Sequence, residues 1–175
     1  MNPIHKTSMS REKILILEEE RYVRLVLKTL LEGDNYIVIT VKTIEEAVKN
    51  FLESEISGLI TEYWINQTCS LQAIRDLKKR FPELYVMMLT NEEVQENSYR
   101  EIINAGVDDL FQKPFPGEKI LVHLKKGLRQ REILLRKNRI EQEFYRIKRK
   151  WYFQLAAATR ERRSVRRKNL LVINH

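Results

Sequence analysis

Over its first 124 residues the chain alternates short apolar runs with longer segments of helical periodicity. The first run, Ile14–Leu17, is apolar at every position, which is typical of a strand buried on both faces of a parallel sheet. The segment after it has apolar residues at helical spacing and stops at Gly33. The same alternation continues and predicts five strands, at Ile14–Leu17, Tyr36–Val41, Leu59–Thr61, Tyr85–Thr90 and Asp109–Gln112.

Each predicted strand is followed by a helical segment, which gives five β-then-α units. Because parallel strands need crossover connections, these units predict an α/β fold with a doubly wound, five-stranded parallel sheet. In sheets of this kind the functional crevice lies beyond the carboxyl ends of the strands. The residues directly after each strand are therefore the first candidates for chemistry.

The second helix has a recognisable start. Thr43 precedes it, and Glu46 follows three residues later, which is the spacing of a capping box. The apolar residues at helical spacing predict a buried stripe made of Ala47, Val48, Phe51 and Leu52.

The C-terminal part of the chain predicts one extended helix. From Glu118 to Thr159 there is neither proline nor a cluster of turn residues, and Gly127 is the only weak point. Two sets of apolar residues here have the spacing of a coiled-coil seam. The first set is Leu121, Leu124, Leu128 and Leu135, and the second is Ile133, Ile140, Phe144, Ile147, Trp151 and Leu155. We predict self-association through this helix; the alternative is an amphipathic helix that folds back on its own domain.

Charge divides the chain into an acidic body and a basic C-terminal segment. Residues 1–124 hold 15 Lys/Arg and 20 Asp/Glu, a net charge of −5, whereas residues 125–175 hold 17 and 4, a net charge of +13. A single cysteine, Cys69, excludes a disulfide framework and a cysteine-rich zinc module. No apolar run approaches the roughly 20 residues that a membrane span needs, so we predict a cytoplasmic location.

Polar side chains follow the strand ends, and we expect them to share one crevice. They are Glu18, Glu19 and Glu20 after the first strand, Glu62 after the third, Thr90 at the end of the fourth and Lys113 after the fifth. Carboxylates are hard oxygen ligands of the kind that suits Mg²⁺. A hydroxyl and an ammonium opposite them are the groups that a phosphoryl group needs.

In this order and spacing, the strand-end motifs resemble the receiver (CheY-like) domain of two-component response regulators. The matching stretches are Ile14–Glu20, Leu59–Glu62, Val86–Thr90, Ala105–Phe111 and Lys113-Pro114-Phe115. Lys-Pro-Phe, 23 residues after a strand-ending threonine, is the most specific of them. The resemblance implies the flavodoxin-like sheet, with strand order 2-1-3-4-5.

The resemblance also implies roles for individual residues. Glu18 and Glu19 stand where the family has its Mg²⁺-binding acidic pair, and Glu62 stands at the phosphoacceptor position, which also faces the metal. Thr90 and Lys113 match the residues that contact the phosphoryl group. Phe111 matches the switch aromatic, and the bond between Lys113 and Pro114 is expected to be cis.

Several departures from the family pattern predict an atypical receiver, or pseudo-receiver, that works without regulated phosphorylation. Glu62 replaces the usual aspartate, and its extra methylene displaces the carboxylate, to which in-line phosphoryl transfer is sensitive. A permanent anion placed one bond further out could instead imitate the phosphorylated side chain. Asn91 stands where a small residue is usual. The plainer alternative is a solvated acidic rim of Glu18, Glu19 and Glu62, neutralised by Lys113.

These observations predict a signalling module with four segments: a flexible N-terminus at 1–12, a receiver domain at 13–128, an extended, coiled-coil-like helix at 129–159 and a basic tail at 160–175. Its expected partners are a histidine kinase or a downstream signalling protein, together with a second copy of the chain. The resemblance implies that these contacts lie on the face made by the fourth helix, fifth strand and fifth helix, where the family usually presents its output.

Two other classes of function can be compared with the sequence. A nucleic-acid-binding regulator would use the basic segment, where Lys148, Arg149 and Lys150 precede three aromatic residues. An enzyme acting on a phosphorylated small molecule is disfavoured, because the chain has no glycine-rich phosphate loop and no nucleophile–base pair.

Overall fold

The computed structural model describes residues 11–91 and 94–172, with side chains described as far as residue 155. Most of the predicted flexible N-terminus, 1–12, and the side chains of the predicted basic tail, 160–175, lie outside this range. The chain divides into two compact units, with the boundary between Glu132 and Ile133. Within the described residues, no helix is both long enough and apolar enough to cross a membrane.

Strands and helices follow one another along the described residues in the predicted β-then-α order, apart from two short strands after β3. The elements are β1 (Lys13–Leu17), α1 (Arg21–Gly33), β2 (Ile37–Val41), α2 (Ile44–Glu53), β3 (Gly58–Glu62), β4 (Trp64–Ile65), β5 (Thr68–Cys69), α3 (Leu71–Arg80), β6 (Tyr85–Thr90), α4 (Glu96–Ala105), β7 (Asp109–Gln112) and α5 (Gly117–Val172).

The five long strands form one parallel sheet in the order β2-β1-β3-β6-β7. Without the two short strands β4 and β5, this is the predicted order 2-1-3-4-5, so the fold class is confirmed. The register pairs Glu62 with Leu89 and Thr90 with Gln112. The carboxyl ends of β3, β6 and β7 therefore meet at one edge of the sheet.

The sheet is covered on both faces, as the continuous apolar strands require. Leu15 and Leu17 face a cluster that includes residues of α2, α3 and α4. Ile14 and Ile16 face a second cluster, formed with α1 and the beginning of α5. Successive side chains of β1 thus point to opposite layers, and all four are buried.

The start of α2 is capped by Thr43, as predicted. The backbone N–H of Glu46 donates to Thr43 Oγ1 at 3.2 Å. The Glu46 carboxylate accepts from the N–H of Lys42 at 2.8 Å, one residue earlier than in a regular capping box.

The predicted buried stripe of α2 is only half correct. Ala47 and Phe51 are buried, whereas Val48 and Leu52 are exposed. Residues four apart lie on one face of a helix, so Ala47 and Phe51 are enough to cover the sheet here. Val48 and Leu52 sit about 100° further around the helix axis, on the solvent side.

The first part of the predicted coiled-coil seam is core of the first unit, which corrects that prediction. Leu124 and Leu128 are buried in the cluster with Ile14 and Ile16, and Leu121 packs against it. Amphipathic spacing alone does not distinguish a seam between two copies from a helix that covers its own sheet. For these leucines the sheet is the partner.

Gly127 explains how α5 approaches the sheet so closely. A Cβ atom built at this position would lie 2.1 Å from the ring of Tyr85. The helix continues through this glycine without a break and runs past residue 159 to Val172. The predicted separate tail at 160–175 is thus helical in backbone as far as Val172, because no proline or glycine interrupts a stretch rich in good helix formers.

A short hairpin follows β3 and was absent from the sequence-based prediction. Trp64–Ile65 and Thr68–Cys69 pair antiparallel, joined by Asn66 and Gln67, whose φ angles are 47° and 62°. Two successive positive φ angles define a type I′ turn. Because neither residue is glycine, the usual sequence signal for this turn is missing.

Candidate functional site: a buried carboxylate–lysine cluster

Four elements of the sheet each bring one predicted site residue to the carboxyl edge. Glu18 directly follows β1, Glu62 and Thr90 end β3 and β6, and Lys113 directly follows β7. The Lys113 N–H donates to the Thr90 carbonyl at 2.8 Å, which extends the pairing of β6 and β7 by one residue. The Lys113–Pro114 bond is cis, as predicted.

Lys113 joins two carboxylates in the crevice. Its Nζ atom lies 2.9 Å from Glu18 Oε2 and 3.0 Å from Glu62 Oε1. Glu18 and Glu62 are both buried, and the Lys113 side chain is only 12% exposed. The expectation that the third strand's carboxylate and the fifth strand's ammonium share one pocket is therefore confirmed.

Further hydrogen bonds fix both carboxylates. Asn91 donates its side-chain N–H to Glu62 Oε1 at 2.8 Å. The backbone N–H of Glu20 donates to Glu18 Oε1 at 3.0 Å. Arg24 is buried, and its guanidinium donates to the backbone carbonyl of Glu18 and to that of Glu19. The loop after β1 is thus held in place from the first turns of α1.

Two carboxylates share one ammonium, and this imbalance sets the protonation of the cluster. Burial, assisted by the negative charge of Glu18, raises the pKa of Glu62 from 4.5 to about 7, although the hydrogen bond from Lys113 opposes the rise. Burial works against the charge on Lys113, but hydrogen bonds to Glu18 and Glu62 outweigh it and raise the pKa of the lysine. Lys113 therefore stays charged at neutral pH, while Glu62 is near its titration midpoint.

Glu19 does not join this cluster. Its side chain is exposed, and Glu19 Oε2 accepts a hydrogen bond from the N–H of Asn66 at 2.9 Å. Asn66 also donates its side-chain N–H to the carbonyl of Lys42 at 3.2 Å. Glu19 thus ties the hairpin turn to the loop after β1.

The three carboxylates predicted to hold Mg²⁺ do not form a ligand set in this arrangement. Among the described residues, no three His, Cys, Asp or Glu side chains converge in a way that could hold a metal ion. Lys113 lies between Glu18 and Glu62, and Glu19 is turned towards Asn66. The residues present therefore do not fit the metal as they stand, because an ammonium already supplies the positive charge.

Thr90 is buried at the end of β6, beside a cleft of about 190 Å³. The cleft is lined by Tyr63, Trp64, Thr90, Val94, Gln95, Ser98 and Ile102. Trp64 lies on the hairpin and is half exposed at this cleft. Thr90 is thus placed on the same edge as Glu62 and Lys113, as predicted.

Phe111 is the residue predicted as the switch aromatic. It packs against the core cluster that the sheet forms with α1 and the beginning of α5. Its ring meets the His123 ring edge to face, with 4.9 Å between centroids. His123 Nδ1 lies 2.8 Å from Asp109 Oδ1, and the Tyr85 hydroxyl donates to Asp109 Oδ2 at 2.6 Å. Burial, followed by the hydrogen bond to Asp109, raises the pKa of Tyr85, so the phenol remains a donor.

Sequence reasoning missed three residues that shape the site. The sequence marks Asn91 only as a departure from the family pattern, and it gives no indication of the roles of Arg24 and Asn66. A buried arginine four residues after a run of glutamates carries no motif of its own. Only Asn91 could have been predicted as a site residue, because it is a polar residue directly after a strand-ending threonine.

The fold and the crevice together define a class of protein: a doubly wound α/β module with acidic groups and a lysine at the carboxyl edge of its sheet. The chain matches the response regulator receiver domain family over residues 14–125, and it belongs to that family. Receiver domains are signalling modules of two-component systems that interact with histidine kinases, and they typically bind Mg²⁺ at the phosphorylation site.

Curated relatives agree with this assignment. The chain is 30% identical over 122 residues to the regulatory protein VanR of Enterococcus faecium, covering 68% of this chain and 51% of VanR. It is 28% identical over 120 residues to the transcriptional regulatory protein ResD of Bacillus subtilis, covering 67% of this chain and 48% of ResD. The chain therefore spans about half the length of these relatives, or less.

Solved structures share the fold. A response regulator from Thermotoga maritima is 26% identical, with a TM-score of 0.62, and the match covers 68% of this chain and 98% of that one. A CheY-like receiver domain protein from Methanospirillum hungatei has a TM-score of 0.66 at 20% identity, covering 70% of this chain and 98% of that one.

Proposed function

We propose that this protein is an atypical receiver module in phosphorelay signalling, acting through protein–protein contacts without regulated phosphorylation of Glu62. The observation that carries the proposal is the buried bridge from Lys113 to both Glu18 and Glu62. The positive charge that faces the two carboxylates thus comes from a residue of the same chain.

Phosphoryl transfer to Glu62 would have to break existing contacts. Glu62 Oε1 already accepts hydrogen bonds from Lys113 and Asn91. A carboxylate attacks in line only when it is aligned with the donor phosphorus, and ångström displacements are costly. The hydrogen bonds from Lys113 and Asn91 therefore hold the Glu62 carboxylate in contacts that phosphoryl transfer would have to break.

The same arrangement supports a fixed signalling state. Glu62 reaches Lys113 with its carboxylate one methylene further out than an aspartate would. In its ionised form, this carboxylate would offer Lys113 the negative charge that an acyl-phosphate offers it in the family. We propose that the module presents one output surface without a covalent switch.

The expected partners follow from the family and the fold. A histidine kinase or a downstream signalling protein would bind the face of α4, β7 and the first turns of α5. We assign the receiver domain to 13–128, in the cytoplasm, and assign self-association to the helical segment 129–159. The possibility of an enzyme stays disfavoured, since receiver domains are in general signalling modules rather than enzymes.

The test is acyl-phosphate formation on the full chain. The protein is incubated with Mg²⁺ and acetyl phosphate or a kinase donor, and intact mass is measured. Glu62→Gln, which has no carboxylate to modify, sets the background, and Glu62→Asp supplies the family's acceptor. We expect the wild type to match the background variant. Stoichiometric phosphate on Glu62 in the wild type would overturn the proposal.

A second function, nucleic-acid binding, has its own supporting observation. Lys148, Arg149 and Lys150 are exposed beside the exposed rings of Trp151, Tyr152 and Phe153. Cations next to aromatic faces suit a phosphate backbone with unstacked bases. If this function holds, single-stranded DNA binds at low salt and its affinity falls steeply as the salt concentration rises. Deletion of residues 160–175, which hold six further Lys/Arg residues, then abolishes binding. Absence of binding at low salt eliminates this alternative.

A further inference from the structure

We propose that the second unit pairs with the same unit of a second copy as a parallel, in-register, two-stranded coiled coil centred on Phe144. The inference deepens the self-association within the proposed function, and it names the partner, the orientation and the contacts that set the register. It does not depend on the chemistry of Glu62.

An exposed apolar stripe runs along this unit. Ile133, Ile140 and Ile147 recur every seven residues, and Phe144 and Trp151 repeat the same interval four residues further along. All five side chains are more than half exposed. In heptad notation the isoleucines occupy d positions and the aromatic residues occupy a positions, which is the seam of a left-handed coiled coil.

Charges beside the stripe are complementary in one arrangement. Glu143 lies at a g position, and Lys148, five residues later, lies at the e position that it would face on a parallel partner. Arg136 and Glu141 have the same relation one heptad earlier. In a parallel, in-register pair of copies, each of these two combinations brings together opposite charges, and symmetry repeats each of them.

The antiparallel arrangement is disfavoured by the same residues. The antiparallel alignment that best matches the apolar positions sets Ile140 against Phe144 and Ile133 against Trp151 of the second copy. In that alignment g positions face g positions, so Glu143 would approach Glu143 of the second copy. Like charges at this distance oppose association.

Lys137 favours two strands over three or four. It occupies the a position between Ile133 and Ile140 and is exposed. Isoleucine at d positions also occurs in trimers and tetramers, but a single lysine at an a position can specify the oligomeric state. From a two-stranded seam its long side chain reaches water with the ammonium group.

The first experiment measures mass and affinity of the full chain by sedimentation equilibrium. We expect a dimer. Glu143→Lys or Lys148→Glu alone should weaken it by about tenfold, because two symmetric attractions become repulsions, and the double exchange should restore most of the affinity. A monomer at about 100 µM, a trimer or tetramer, or single reversals without effect would overturn the proposal.

The second experiment tests orientation by cross-linking. In a Cys69→Ser background, Ile147→Cys places a thiol in the seam, and Gln142→Cys places one on the outer face as the matched control. We expect oxidation to link two copies through position 147 and not through position 142. Equal linking at both positions, or none at 147, would contradict a parallel, in-register seam.

These outcomes are separable from those of the phosphorylation test. If the chain is monomeric and is not phosphorylated by acetyl phosphate, the coiled-coil proposal is wrong and the proposal of a phosphorylation-independent receiver stands. If the chain is a dimer and Glu62 becomes phosphorylated, the coiled-coil proposal stands and the proposal of a phosphorylation-independent receiver is wrong. Circular dichroism of each variant verifies that the substitution has left the helix intact.

Discussion

Lys113 Nζ lies 3.0 Å from Glu62 Oε1 although 51 residues separate the two along the chain. Both side chains are nearly inaccessible to solvent. A buried ion pair contributes little net stability when complete, but removing one partner leaves an uncompensated charge. The pair is therefore a sensitive position for testing how the crevice is held together.

Lys113→Ala should destabilise the protein by about 3 kcal/mol at pH 8, because Glu18 and Glu62 would remain buried without a cation. Urea denaturation measures the loss. The double variant Lys113→Ala/Glu62→Gln should recover part of it, since one of the two charges is then removed. Equal destabilisation in the single and double variants would show that the carboxylate of Glu62 is not what Lys113 compensates.

The raised pKa of Glu62 predicts a pH dependence of stability. The folded-state pKa of about 7 lies above the ordinary value of 4.5, so folding favours the protonated form. The contribution of Glu62 is complete below the ordinary pKa and is lost as the pH rises through about 7. We expect the free energy of unfolding to fall between these two pH values in the wild type, and the Glu62→Gln variant to lack this component.

Gly127→Ala should destabilise the first unit. The new methyl group would overlap the ring of Tyr85, and overpacking of this kind costs about 1–3 kcal/mol, partly offset by the better helix propensity of alanine. Gly33→Ala is the matched control, because its added Cβ would meet no atom within 4 Å. Thermal unfolding measures the stability of both variants. An equal loss of stability at the two positions would exclude the Tyr85 contact as the cause.

Gln67→Gly should stabilise the protein by about 0.5–1 kcal/mol, since Gln67 has a φ of 62° and glycine adopts this conformation without strain. Asn66 is retained in this variant, so its hydrogen bond to Glu19 persists. Chemical denaturation provides the measurement. A neutral or destabilising result would indicate that the type I′ turn does not strain Gln67.

Tyr85→Phe should cost about 1 kcal/mol, because the variant lacks the hydroxyl that donates to Asp109 while His123 still contacts the same carboxylate. Asp109→Ala should cost more, since it leaves the Tyr85 hydroxyl without its acceptor and His123 without its partner. NMR spectra of the Phe111 ring report whether His123 then still orders it. Equal costs for the two variants would argue against a shared role for Asp109.

Local periodicity predicted most of the fold. The strands Tyr85–Thr90 and Asp109–Gln112 were predicted with their observed bounds. The first helix also ends at Gly33, as predicted. These features depend on neighbours along the chain. The hairpin of β4 and β5 was not predicted, because Asn66 and Gln67 adopt positive φ angles and neither is the glycine that usually indicates such a turn.

The amino-acid sequence by itself determined where each strand ends, and so which residues reach the crevice: Glu18, Glu62, Thr90 and Lys113. Only the tertiary structure decided how they pair. Lys113 and Glu18 are 95 residues apart, and their contact depends on the order and register of the strands. Whether Glu19 faces that crevice or the N–H of Asn66 depends on a turn that no periodicity encodes. Periodicity reflects burial of single elements, whereas the partner of a charged side chain is set by distances between elements, which exist only once the sheet has formed.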